Sequence, residues 1–215
     1  VATDGTVGAY DADSGNQFWQ TSLSLPGNHS GLLVTSETVT VLSNRQLASL
    51  TRDTGDVRWT KTAKPRTTFG GPWFSSGTVY IGEQGLVDGK LVTLVHAFDA
   101  WTGDRRWRQS GTNTYVIPNA VADGVGFDAG RGVSLATGER LWTVDDLGVA
   151  LSPATNFLGT SKHFLAIGGN GTIQAIDQSG QKSWTLETGA ALRDGIAIDD
   201  TIYVVTASGR LLVLS

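Results

Sequence analysis

Five segments of this 215-residue chain share one internal spacing: a Ser or Thr, then Gly, then Trp four residues after that Gly. They run over 7–19 (VGAYDADSGNQFW), 47–59 (LASLTRDTGDVRW), 95–107 (VHAFDAWTGDRRW), 133–142 (VSLATGERLW) and 173–184 (IQAIDQSGQKSW). The glycines are Gly15, Gly55, Gly103, Gly138 and Gly180. The tryptophans are Trp19, Trp59, Trp107, Trp142 and Trp184, at intervals of 40, 48, 35 and 42 residues. Periods of this size define a chain built from stacked copies of one supersecondary unit, so the repeat constrains the fold before any other feature does.

Each copy reads as a β-hairpin. A stretch such as Val95-His-Ala-Phe-Asp99 sends alternate side chains to opposite faces of a strand. The Asp-x-x-Thr-Gly run that follows turns the chain: Asp and Ser/Thr accept hydrogen bonds from turn amides, and Gly supplies a positive φ. The returning strand carries the Trp, whose large surface can cover the seam with a neighbouring unit. Two further strand-like stretches precede each hairpin, for example Gly31–Val34 then Thr38–Leu42, and Ile196–Ile198 then Thr201–Val205. Four short strands every ~40 residues is the period of a propeller blade. No long segment has helical periodicity, and the class is all-β.

Composition narrows the function. Hydrophobic residues make up 40% and charged residues 17%, the balance of a globular chain, and no apolar run approaches the roughly 20 residues of a membrane span. A net charge of -4 leaves no basic footprint for nucleic acid. The absence of Cys removes disulfides, thiolate metal sites and cysteine nucleophiles together.

The AxDxxTGxxxW-type hairpin resembles the pyrroloquinoline-quinone (PQQ)-like repeat. That repeat is found in quinoprotein dehydrogenases, in the propeller lipoprotein of the outer-membrane β-barrel assembly machine, and in sensor regions of some membrane-anchored Ser/Thr kinases. The resemblance covers essentially the whole chain and implies a β-propeller of four-stranded PQQ-like blades, with residues 1–215 as one propeller domain. The fourth repeat departs most, since Asp is missing before Thr137-Gly138, and the third has an insert over 82–90. The chain starts and ends inside a repeat. Two readings follow: closure of about five or six blades, or a part of a larger propeller. The resemblance also implies a periplasmic or extracellular location, as the outer part of a membrane-anchored protein in one version. A quinoprotein site would require a vicinal-cysteine disulfide, a stacking Trp, and Glu, Asn and Asp for calcium and base catalysis. With no Cys, and with the repeated Trp residues committed to packing, no cofactor is expected.

Other chemistry is thin. Asp11-Ala-Asp13-Ser-Gly15 has the opening of a calcium loop but lacks the further alternating ligands and the terminal Glu. Turn chemistry accounts for Asp11, Asp99 and Asp177, and no metal site is assigned. His29, His96 and His163 have no zinc spacing; His96 reads as structural, and His29, in a loop, as the better functional candidate. GxSxG is absent, and Gly168-Gly-Asn-Gly171 fits a hairpin turn. What remains is the funnel at the entry to each innermost strand, which holds His29, Phe69, Tyr115, Arg193 and Asp194, with Trp73 and Asn119 close behind. Aromatic groups with a few polar ones suit a small ligand or a peptide; plugging the channel and capping strand ends is the competing reading. The function expected is a non-catalytic binding, scaffold or sensor propeller with a protein, peptide or small-ligand partner. The alternative is an enzyme with a funnel active site, quinoprotein-like or a lyase or hydrolase, in which His29, Arg193 and Asp194 converge.

Overall fold

Short runs of β-branched and aromatic residues, cut every few positions by Gly, Asp or Ser, leave the chain short strands to build with. The structure is a computed structural model that describes residues 5–25, 29–110, 120–128, 130–149 and 156–214; among them are twenty-one strands and no helix. Every strand pairing is antiparallel and joins neighbours in sequence. The sheets fall into two compact units, Val1–Ile117 and Pro118–Ser215.

In the first unit, β1 (Thr6–Tyr10) and β2 (Gln17–Ser22) form one hairpin. The strands β3 (His29–Val34), β4 (Thr38–Ser43), β5 (Gln46–Thr51) and β6 (Val57–Thr62) form a four-stranded blade, and β7 (Thr67–Ser75), β8 (Thr78–Val87), β9 (Lys90–Asp99) and β10 (Arg105–Ser110) form the next. In the second unit, β11 (Ala120–Ala122), β12 (Val125–Asp128), β13 (Arg131–Ser134) and β14 (Arg140–Thr143) make one blade. A second contains β15 (Asn156–Gly159), β16 (His163–Ile167), β17 (Thr172–Asp177) and β18 (Lys182–Glu187). A three-stranded sheet of β19 (Leu192–Ile198), β20 (Thr201–Thr206) and β21 (Leu211–Leu214) follows. The insert noted over 82–90 lengthens β8 and β9 to ten residues each, so their hairpin outreaches the others.

The repeated hairpin joins the third and fourth strands of a blade. All five copies share a register shift at one place: the residue immediately before the Trp is extra. The extra residues, Phe18, Arg58, Arg106, Leu141 and Ser183, are all exposed. An extra residue turns the following side chain to the other face of the strand, and this bulge aims each Trp. Opposite it stands a small residue in every copy, namely Ala9, Ser49, Ala97, Gly132 and Ala175, which leaves the indole room to lie flat.

Three of the indoles lock onto the next blade. Trp19 Nε1 donates to the Arg52 carbonyl at 2.7 Å, Trp59 to Ala100 at 3.1 Å and Trp142 to Gln178 at 2.7 Å. Each ring covers the turn glycine of that blade. A Cβ on Gly55 would fall 2.4 Å from the Trp19 ring and one on Gly103 2.5 Å from the Trp59 ring, besides the strain of φ near +74° at both. Trp184 differs: it is 37% exposed and stands edge-on to His163 of its own blade. Trp107 packs on Tyr80 of its own blade, ring centroids 5.7 Å apart.

The turn carboxylates do what the pattern required. Asp11 accepts from the amides of Asp13 and Ser14, Asp99 from Trp101 and Thr102, and Asp177 from Ser179 and Gln181. In the copy without Asp, the Ser134 hydroxyl takes the Thr137 amide instead. The core is laid down between neighbouring sheets rather than within one. One seam sets Val39, Val41 and Leu50 against Val7 and Trp19, and another sets Leu42, Leu47 and Trp59 against Ile81 and Phe98. In the second unit, Phe127 meets Phe164 and Ile176, while Leu165 and Ile173 meet Leu192 and Val204.

Candidate functional site

Of the residues predicted for the funnel, the side chains of Phe69, Trp73, Arg193 and Asp194 are described. The strand β3 begins at His29. Tyr115 and Asn119 lie outside the described residues. Phe69 and Trp73 both lie on β7, four positions apart, which in a regular strand would put them on one face. The register shifts between Gly70 and Pro72, where Gly71 is extra, so Phe69 pairs with Glu83 while Trp73 pairs with Tyr80 on the opposite face. Phe69 is buried in the seam with the preceding blade, and Trp73 packs at a tilt against Tyr80, ring centroids 5.3 Å apart. The two therefore do not share a binding surface. In the second unit, Arg193 is the extra residue of another register shift and is exposed. The Asp194 carboxylate accepts from Asn156 Nδ2 and from the Gly195 amide, a tie from β19 to the first strand of the neighbouring blade.

The polar cluster with the most defined geometry involves a residue absent from that set. Glu83 on β8 is 2% exposed, and its Oε1 accepts from the Lys64 amide at 2.7 Å and from the Thr67 hydroxyl. Its Oε2 meets His96 Nε2 of β9 at 2.9 Å. Above it, Arg45 of the β4–β5 turn donates to the carbonyls of Lys64 and Thr67. The network thus fastens the segment between β6 and β7 to both neighbouring blades. Strand parity explains the placement: Glu83 follows Val79 and Ile81 on the face of β8 turned to the preceding blade, and His96 shares a face with Phe98.

Burial pushes the Glu83 carboxyl up, but the bonds from Thr67, Lys64 and His96 outweigh it and hold the group below its ordinary range. Burial pulls His96 below its ordinary value despite the neighbouring carboxylate, and Arg108 and Arg105 push the same way. His96 is therefore neutral, with the Nε2 proton donated to Glu83. Its Nδ1 is buried and has no hydrogen-bond partner among the described residues, which would leave an imidazolium proton without an acceptor. An acid–base pair of this kind could serve catalysis if it faced a cleft. Here both side chains are sealed in a seam under Phe69 and Phe98, whose rings stand 6.4 and 5.6 Å from that of His96. The arrangement is a clamp. Its sequence signal was an acid and a histidine at inward positions of otherwise apolar strands.

Blades of four antiparallel strands, a Trp of one blade seated on the turn of the next, and polar groups spent on clamping the seams define a β-propeller of PQQ-like repeats. The chain belongs to the family described as outer membrane protein assembly factor BamB, whose model matches residues 3–215. Among solved structures it is similar to BamB from Moraxella catarrhalis at 19% identity and a TM-score of 0.65, over 98% of this chain and 67% of that one, a likeness of fold. A computationally designed protein, Ika4, matches at 12% identity and a TM-score of 0.39, over 93% of this chain and 98% of that one, too low to carry an argument. No curated protein matches the chain.

Proposed function

We propose that the chain is a non-catalytic, protein-binding scaffold that works in outer-membrane protein assembly, outside the cytoplasm, and that its 215 residues belong to one propeller domain. The family match over residues 3–215 carries this reading. The polar groups support it, because the best-formed acid–base pair, Glu83 and His96, is enclosed in a seam and spent on holding backbone. A propeller without a reaction to run offers rigid blades and exposed loops, which is what a docking platform needs.

The test is complementation. The chain, exported in a Gram-negative strain that lacks its own member of this family, should restore the level of β-barrel proteins in the outer-membrane fraction. An exported, folded chain that restores nothing overturns the reading. A second measurement addresses the enzymatic alternative: melting with and without PQQ plus calcium should show no shift. A saturable rise in Tm would move the assignment to a quinoprotein, since a ligand stabilises what it binds.

A further inference from the structure

Seven of the chain's 16 Lys and Arg residues fall in two short stretches, 58–66 and 105–108. These stretches are the outermost strands of two adjacent blades, β6 and β10, and the segment that follows β6. Two of the seven have local partners: Arg58 stacks on Trp101 at 3.2 Å and donates to its carbonyl, and Arg106 pairs with Asp99. The other five, Lys61, Lys64, Arg66, Arg105 and Arg108, have no ion pair or hydrogen bond from their charged groups among the described residues, and all but the half-buried Lys61 are exposed.

Lys61, Arg105 and Arg108 converge on one seam, and Lys64 lies on the segment fastened beside it. Lys61 Nζ lies 5.6 Å from the Phe98 ring and 5.9 Å from that of Trp59. Arg108 stands opposite His96 in the ladder and Arg105 opposite Phe98, while the Lys64 amide reaches Glu83, the partner of His96. Beneath this rim the Glu83 carboxylate is buried and fully engaged.

Edge strands commonly carry Lys or Arg to discourage pairing with other chains, so a protective role must be weighed first. The other outermost strands of this chain do not follow that rule. The strand β2 (QFWQTS) has no cation, β14 (RLWT) has one, and β18 (KSWTLE) has one with an acid beside it. The cations are concentrated where β6 and β10 flank a single seam, in a chain of net charge -4. A local excess of that size is balanced by mobile ions or by an anionic partner.

We infer that the rim formed by Lys61, Arg105 and Arg108, continued by Lys64 and Arg66, is a docking surface for an acidic, extended polypeptide segment. This rests on the scaffold reading and names the chemistry of one partner. An extended chain presents carboxylates on one face every two residues, about 7 Å apart, a repeat matched to cations borne on strands. A bilayer surface fits less well, because Trp59 and Phe98, the aromatic rings beneath Lys61, are buried and cannot insert.

The experiment is fluorescence anisotropy with a labelled oligoglutamate, at low and high salt, against the whole chain. Binding that weakens with salt is expected, with a loss of about tenfold or more in the triple variant Lys61→Glu, Arg105→Glu, Arg108→Glu. A control with Lys90→Glu and Arg210→Glu should bind as the parent does. If charge reversal prevents folding, as a melt would reveal, the triple Gln variant replaces it and should still weaken binding. Absence of oligoglutamate binding, or equal binding by a folded triple variant, overturns the inference. So does binding to phosphatidylglycerol-containing vesicles, but not to phosphatidylcholine vesicles, when oligoglutamate does not bind. Complementation separates the two readings: restored assembly without oligoglutamate binding sinks the docking surface and leaves the scaffold standing, and the reverse result sinks the scaffold alone.

Discussion

Trp59 and Trp184 occupy the same position of the repeat and have different surroundings. Trp59 is 8% exposed, bonds to the Ala100 carbonyl and covers Gly103; Trp184 stands 37% exposed against His163. Trp59→Ala should therefore cost about 3–5 kcal/mol, the price of truncating a buried aromatic group. Trp184→Ala should cost less than about 1 kcal/mol. Urea unfolding of both variants checks the pair, and equal losses would contradict the seam geometry. Gly103 is constrained twice over, by φ near +74° and by the ring above it. Gly103→Ala is expected to destabilise by about 1–3 kcal/mol, more than Gly89→Ala, where φ is +73° but nothing lies within 4 Å. Asp99, held by the Thr102 amide and Arg106, keeps its carboxyl at about 2. Its contribution is complete above the ordinary value of 3.8 and fades only as pH falls towards 2.

At the scale of the element, the β6–β7 segment depends on Glu83. In the fold this carboxyl lies below its ordinary 4.5, so the stability it confers is present above that pH and is lost as pH falls through the lowered value. His96 also lies below its ordinary 6.5, so the unfolded chain takes up its proton first. Stability is then full above about pH 6.5 and falls as the pH drops below it. The Tm of the parent should hold level above pH 6.5 and decline in two stages below. His96→Gln, which keeps a donor for Glu83, should remove the first stage. Glu83→Gln should lower stability at pH 7 by about 1–3 kcal/mol, because the amide keeps one acceptor oxygen for three buried donors, the Lys64 amide, the Thr67 hydroxyl and His96 Nε2, and flatten the decline below pH 4.5. A Tm curve in the Glu83→Gln variant identical to that of the parent would show that the clamp contributes nothing.

Across the whole molecule, charge is uneven. Val1–Ile117 contains ten basic and ten acidic residues, and Pro118–Ser215 contains six and ten. With a pI near 5.3, light scattering should find a solubility minimum close to that pH, since repulsion between molecules vanishes there. The all-β class, the hairpin turns and their Asp, Ser and Gly chemistry were legible in the amino-acid sequence, because each rests on residues within one hairpin, and the period was legible because that hairpin recurs along the chain. Strand alternation and turn conformations are local physics. The tertiary structure alone decided which Trp meets which glycine, because those bonds span 33 to 41 residues. It alone decided that Phe69 and Trp73 part company at Gly71, since one extra residue in a strand reverses every face beyond it. The Glu83–His96 clamp and the unpaired cations above it belong to the same category: their residue types were visible in the sequence, but their meeting depended on two blades packing face to face.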